Sequence, residues 1–256
     1  MKHLLFASGV IITSSLSFIG CSSGPPPDPG VQKPTPQAGS CDATEQNPYQ
    51  ACYPIDDIGT AARTGPSGVA GNRIANFAFT GYPWSDVTSK VTTGTTKTIR
   101  LSDYFDPEGK IQFGGTTGIK IIHITVAAVW CGPCNEETDY IAGNTANGAP
   151  SPGFAAELAP MGVVFLQALS DGPVVGHGAT LSDLNKWITN HGSDFTEMLD
   201  PGVANLGVFF DAAAVPFNAN IDARSMEILS TELGFNTAMD TDIKSWITWQ
   251  NSHPAK

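Results

Sequence analysis

The chain has 256 residues, with 13 basic against 24 acidic side chains and a net charge of −11 at neutral pH. That balance excludes binding driven by phosphate neutralisation, so no nucleic-acid partner is expected, and it excludes a polybasic hold on a lipid surface. Hydrophobic residues make up 41% of the chain, enough for a sizeable core, yet after the first 20 residues no apolar run reaches membrane-spanning length.

Residues 1–20 read as a targeting segment. Met1-Lys2-His3 is a short positive region, and Leu4 to Ile19 is apolar with scattered Ser, Thr and Gly, too short for a comfortable membrane span. The segment ends Phe18-Ile19-Gly20-Cys21, which resembles the lipobox of bacterial lipoproteins, with Phe18 where Leu is usual. The resemblance implies cleavage before Cys21 and several acyl chains on that residue, which anchors firmly where one chain is marginal. An ordinary signal peptide cut nearby is the alternative. Ser22 stands where many inner-membrane lipoproteins carry Asp, which implies the outer membrane.

Residues 21–40 hold Pro25, Pro26, Pro27, Pro29, Pro34 and Pro36 and form a Pro-rich linker reaching at most about 60 Å. Residues 41–70 contain Cys41 and Cys52, the pair left once Cys21 and the later cysteines are set aside. In an oxidising compartment they read as a structural disulfide contributing about 3 kcal/mol. Electron shuttling to Cys131 and Cys134 is the rival reading. Residues 71–256 suit one domain.

Along that domain, 73–80 alternates apolar and polar residues as a strand does, and 98–101 is a second short strand followed by a turn or short helix at 102–106. Residues 119–128 are apolar and β-branched, a buried strand. A helix then starts near Asn135 and breaks at Asn144, Asn147, Gly148, Pro150 and Pro152. A short helix at 154–158 precedes a continuous apolar run at 163–169, the mark of a buried parallel strand. Thr180 or Ser182 caps a helix with Leu181, Leu184, Trp187 and Ile188 at helical spacing. Weak strand character at 195–199 and a short helix at 202–206 lead to a strand at 215–222, its hairpin partner at 226–231 and a closing helix at 243–249. The order β-α-β-α-β-β-α predicts an α/β fold whose last two strands are antiparallel.

Between the strand and helix that meet near residue 130 stands Trp130-Cys131-Gly132-Pro133-Cys134. Two cysteines three apart at a strand-to-helix junction make a dithiol that can open and close as a disulfide. Pro133 lacks an N–H that a first-turn position would waste, and the free N–H groups of that turn stabilise a thiolate on Cys131. Zinc would need a second pair of ligands, and His3, His123, His177, His191 and His253 show no ligand spacing. Haem attachment would need His at position 135, which is Asn. The pattern therefore predicts redox chemistry with no cofactor and no metal.

With Val215-Pro216 opening a strand that ends Ile221-Asp222, and Leu101-Ser102-Asp103-Tyr104-Phe105 upstream, the chain resembles the thioredoxin superfamily over residues 71–250, in its TlpA/ResA-like (redoxin) extracytoplasmic branch. The resemblance implies a thioredoxin fold: α/β, a central mixed β-sheet flanked by helices, here with an N-terminal β extension. It implies an extracytoplasmic thiol–disulfide oxidoreductase acting on disulfide- or dithiol-containing proteins of the cell envelope. Cys131 would be the exposed nucleophile and Cys134 the buried resolving thiol. Gly132 and Pro133 would shape the turn, and a cis Pro216 would pack beside it. Trp130, Val215 and Pro216 would hold the substrate chain as an added strand. Thioredoxins carry a buried Asp six residues before the first cysteine, where this chain has Thr125. TlpA-like proteins often carry Glu three residues after the second cysteine, and Glu137 stands there as proton acceptor or as an ordinary first-turn acid. His123 reads as a satisfied core histidine. A thiol peroxidase is the second reading, although Ala128 and Ile124 replace the Thr and Pro of the peroxiredoxin pattern; a partner- or copper-binding lipoprotein is the third.

Overall fold

The computed structural model of the protein describes residues 41–46, 51–88, 91–92, 95–211 and 214–253. The targeting segment, Cys21 and the Pro-rich linker lie outside them. In chain order the strands and helices are β1 (Cys41–Gln46), β2 (Cys52–Pro54), β3 (Ala78–Tyr82), β4 (Val87–Thr88), β5 (Val91–Thr92), β6 (Lys97–Arg100), β7 (Gln112–Phe113), β8 (Thr116–Thr117), β9 (Ile121–Ala128), α1 (Gly132–Ala142), α2 (Phe154–Leu158), β10 (Val163–Asp171), α3 (Leu181–His191), β11 (Thr196–Leu199), β12 (Phe217–Asp222), β13 (Glu227–Leu233) and α4 (Met239–Ser252).

The β-branched run of β9 is buried along its whole length, as a central strand covered on both faces must be. It lies between β10, parallel to it, and β12, antiparallel to it, in a sheet of order β13-β12-β9-β10-β11-β3-β6. β11 runs parallel to β10, and β12 and β13 form the expected antiparallel hairpin. This is a central mixed sheet of the kind the thioredoxin resemblance implied, with β3 and β6 adding two strands beyond β11.

Alternation along the strands divides the core. Ile122, Ile124, Val126, Leu166, Phe217 and Ile221 face one way and pack with Tyr53, Ile74, Leu101 and Leu206. Ile121, Val163, Phe165 and Leu229 face the other way, against Ile141, Phe154, Leu158, Ile243 and Trp246 of α1, α2 and α4. Leu184, Trp187 and Ile188 of α3 join Ala127, Leu169 and the two cysteines on that same side. The four α-helices thus cover one face, and irregular N-terminal chain with short 3₁₀ turns covers the other. Each large apolar side chain buried there contributes roughly 1.5–3 kcal/mol.

The segment set apart by sequence at 41–70 belongs to this core. Tyr53 is fully buried and its hydroxyl donates to the Ile74 carbonyl at 2.7 Å. Arg63 pairs with Glu227 of β13 at 2.8 Å and lies over the ring of Trp249 of α4.

Two expectations are corrected here. Of the strand expected at 73–80, Arg73 makes only isolated bridges to Ile58 and Glu227 and the continuous ladder starts at Ala78, because Phe77 turns its N–H back to the Ala75 carbonyl at 2.8 Å and Asn76 Oδ1 accepts from Ser102 N. The Cys41–Cys52 staple is not formed. Cys52 is a free, half-buried thiol, and the hairpin register sets it opposite Gln46 and Cys41 opposite Pro54.

Candidate active site

Cys131 is the N-cap of α1. Its Sγ accepts from Cys134 N at 3.2 Å, with Pro133 in the first turn. The two cysteines are joined as a disulfide. Asn135 fastens the turn from inside, its side chain donating to the carbonyls of Cys131 at 2.7 Å and Val129 at 3.2 Å. Sulfur at the positive end of a helix, fed by a backbone N–H, is the setting that favours a thiolate.

Cys134 has no exposure, as a resolving thiol would. Cys131, expected to be exposed, is only 3% accessible, and this expectation is corrected. Its Sγ lies 3.5 Å from the Val215 carbonyl oxygen, and Trp130, Val129 and Val215 pack around the pair. The Val215–Pro216 peptide is cis, as the resemblance implied. Trp130 is held by its ring N–H, which donates to Asp171 Oδ2 at 3.1 Å; the same oxygen accepts from Gly176 N at 2.9 Å.

Behind the disulfide the helix is tied to the sheet by buried polar contacts. Thr138 donates to the Cys134 carbonyl at 2.8 Å and accepts from Gln167 at 2.8 Å, and Gln167 in turn accepts from the Trp187 ring at 2.8 Å. Glu137 is no surface acid of the first turn. It is fully buried, Thr125 Oγ1 donates to its Oε1 at 2.6 Å, and Asn218 Nδ2 donates to its Oε2 at 2.9 Å. Burial pushes its carboxyl up to about 7, against the two hydrogen bonds that hold it down. A group that titrates there can both take and return a proton at neutral pH.

His123 is buried on β9 with Nδ1 2.9 Å from the Asn220 side-chain amide and Nε2 3.1 Å from Asn218 Oδ1, and burial lowers its affinity for a second proton. It is the satisfied core histidine expected. The structure therefore brings Trp130, Cys131, Gly132, Pro133, Cys134, Glu137, Val215 and Pro216 to one end of the sheet. Asn218 was missed by sequence reasoning. Its signal was a polar residue at an inward position of an apolar strand, followed by another at Asn220. Among the described residues no group of three His, Cys, Asp or Glu side chains could hold a metal ion.

Fold and site together define an α/β protein with a central mixed sheet carrying a dithiol–disulfide centre at the start of a helix. No protein-family model matches the sequence, and no curated protein does. Solved structures similar in chain path include a secreted thiol-disulfide isomerase from Corynebacterium glutamicum, with 17% identity, TM-score 0.46, and coverage of 74% of this chain and 99% of that one. A DsbF homologue from Corynebacterium diphtheriae has 16% identity, TM-score 0.43, and coverage of 76% and 99%. A thiol:disulfide interchange protein from a Bacteroides species has 13% identity, TM-score 0.45, and coverage of 70% and 91%.

Proposed function

We propose that this protein is an extracytoplasmic thiol–disulfide oxidoreductase, tethered to the envelope through a lipidated Cys21 and acting on protein disulfides without a cofactor. The carrying observation is the Cys131–Cys134 disulfide across the first turn of α1, with the Glu137 carboxyl sealed into the sheet behind it.

In the reducing direction the Cys131 thiolate attacks a substrate disulfide, forming a mixed disulfide and expelling one substrate sulfur as thiolate. Glu137 takes the proton of the Cys134 thiol. The Cys134 thiolate then attacks the Cys131 sulfur and expels the second substrate thiolate. Two electrons pass to the substrate, and the protein ends as the disulfide. Trp130, Val215 and Pro216 frame the substrate chain, with the backbone at Val215 offering it strand-like hydrogen bonds.

The test is reduction of a protein disulfide by the dithiol form. Cys131→Ser is expected to be inactive and Cys134→Ser to accumulate the mixed disulfide; a Cys131→Ser variant that still turned over would refute the assignment. A reduction potential near about −270 mV marks a reductant and one near about −120 mV an oxidant. Cys21→Ala should move the protein out of the membrane fraction.

A further inference from the structure

Antiparallel pairing of β9 with β12 sets Thr125 opposite Asn218 and His123 opposite Asn220. All four side chains point to the helix-covered face and all four are buried. A polar row in an apolar layer is costly unless every group is paired, and here the pairing runs in one line. Trp246 Nε1 donates to Ser230 Oγ at 3.1 Å, and Ser230 lies 3.0 Å from the Asn220 amide. Asn220 meets His123 Nδ1 at 2.9 Å, His123 Nε2 meets Asn218 Oδ1 at 3.1 Å, and Asn218 Nδ2 reaches Glu137 at 2.9 Å.

The orientation of Asn218 is forced. Its nitrogen faces the Glu137 carboxylate and, at 3.4 Å, the Gly234 carbonyl, both acceptors only. Its oxygen must therefore face His123, which must bring a hydrogen on Nε2. A neutral ring then leaves Nδ1 bare. The Asn220 amide, whose oxygen and nitrogen are alike in outline, presents its NH2 to Nδ1 and its oxygen to the Ser230 hydroxyl. Every bond from α4 to α1 then points the same way, and each polarises the next.

We propose that His123 and Asn218 are positioning residues for Glu137: the ring N–H of His123 locks the Asn218 amide so that its NH2 stays on the carboxylate, and this pair sets how readily Glu137 takes and returns the Cys134 proton. The inference rests on the oxidoreductase reading above. When Glu137 is protonated, its hydroxyl donates to Thr125 Oγ1 and the Thr125 hydrogen rotates away, while Asn218 keeps its bond. Of the titratable groups around Glu137, Cys134 stands one turn earlier on α1, His123 lies on the same face of β9 as Thr125, and Glu232 on β13 opposes its ionisation.

The test is the pH profile of the resolving step, followed as release of the mixed disulfide by the dithiol protein. Wild type should show one midpoint near 7 that Glu137→Gln abolishes. Absence of that Glu137-dependent step overturns the proposal, whereas failure of the oxidoreductase reading shows instead as turnover by Cys131→Ser. Given the step, Asn218→Leu is expected to move the midpoint up by about one pH unit, a tenfold loss of ionised Glu137 at a pH well below the midpoint. His123→Leu should move it the same way, and His123→Gln, which keeps an N–H toward Asn218, should restore the wild-type midpoint. Unmoved midpoints in folded Asn218→Leu and His123→Leu overturn the proposal. Nitrogen-15 NMR of the His123 ring in the unaltered protein is an independent check. A neutral Nε2–H ring between pH 6 and 8 is expected, and an Nδ1–H ring or an imidazolium overturns the proposal whatever the variants do.

Discussion

Thr125 occupies the strand position where the thioredoxin resemblance implies a buried aspartate, and Glu137 delivers a carboxyl to the Thr125 hydroxyl from the helix above, at 2.6 Å. The acid has moved from the sheet to the helix while staying in the same layer. Thr125→Asp would therefore press two carboxyls together, and one must stay protonated. Its pH–rate profile should split into two steps, one of them above the wild-type midpoint; a single unshifted step would contradict the contact. The dithiol was legible from its own spacing, and Glu137 from the TlpA-like resemblance, with (i, i+3) helix spacing relating it to Cys134. Asn218 was not, because it meets Glu137 across 81 residues of chain and only strand register brings them together.

Among the elements, α3 shows how local chemistry is sufficient to place a boundary. Thr180 Oγ1 accepts from Asp183 N at 3.3 Å while Asp183 Oδ2 accepts from Thr180 N at 2.9 Å, a reciprocal cap readable from the residues themselves. Thr180→Ala should cost about 1 kcal/mol in urea denaturation. The end of α1 is different. Gly143 closes it at φ 74°, and a Cβ there would sit 2.5 Å from Gly153 N in the returning loop. Gly143→Ala should cost more than about 1 kcal/mol by the same measurement, combining the left-handed backbone with the clash. The sequence reading put the break one residue later, at Asn144, because the close return of Gly153 is a tertiary fact. The start of α4 at Met239 also escaped it, since Ala238 offers no side-chain cap.

For the whole molecule, the irregular chain over the helix-free face is expected to carry a large share of stability. Tyr53→Ala should cost about 3–5 kcal/mol, and Tyr53→Phe, which loses only the bond to Ile74, about 1 kcal/mol. Stability should also depend on pH through two buried acids. Burial raises Glu197 to about 8, opposed by the nearby Ser193 hydroxyl, and raises Glu137 to about 7, both from an ordinary value of 4.5. The folded state holds these protons more tightly than the unfolded chain, so the stabilisation is complete below 4.5 and is lost as pH rises through 7 and 8. Glu197→Gln should match wild type at pH 4 and melt at a higher temperature at pH 9; equal melting at both would show that Glu197 ionises without cost. From residues alone came the dithiol, its helix-start setting and the order of the central elements, because hydrophobic period, turn chemistry and helix spacing act over a few residues; the candidate acid came from the family resemblance. Tertiary structure alone decided that the N-terminal segment completes the core, that Cys52 stays free, that Cys131 is covered and that Asn218 and His123 stand behind Glu137. Those depend on strand register and on which surfaces meet, and no local pattern encodes a contact between residues far apart in the chain.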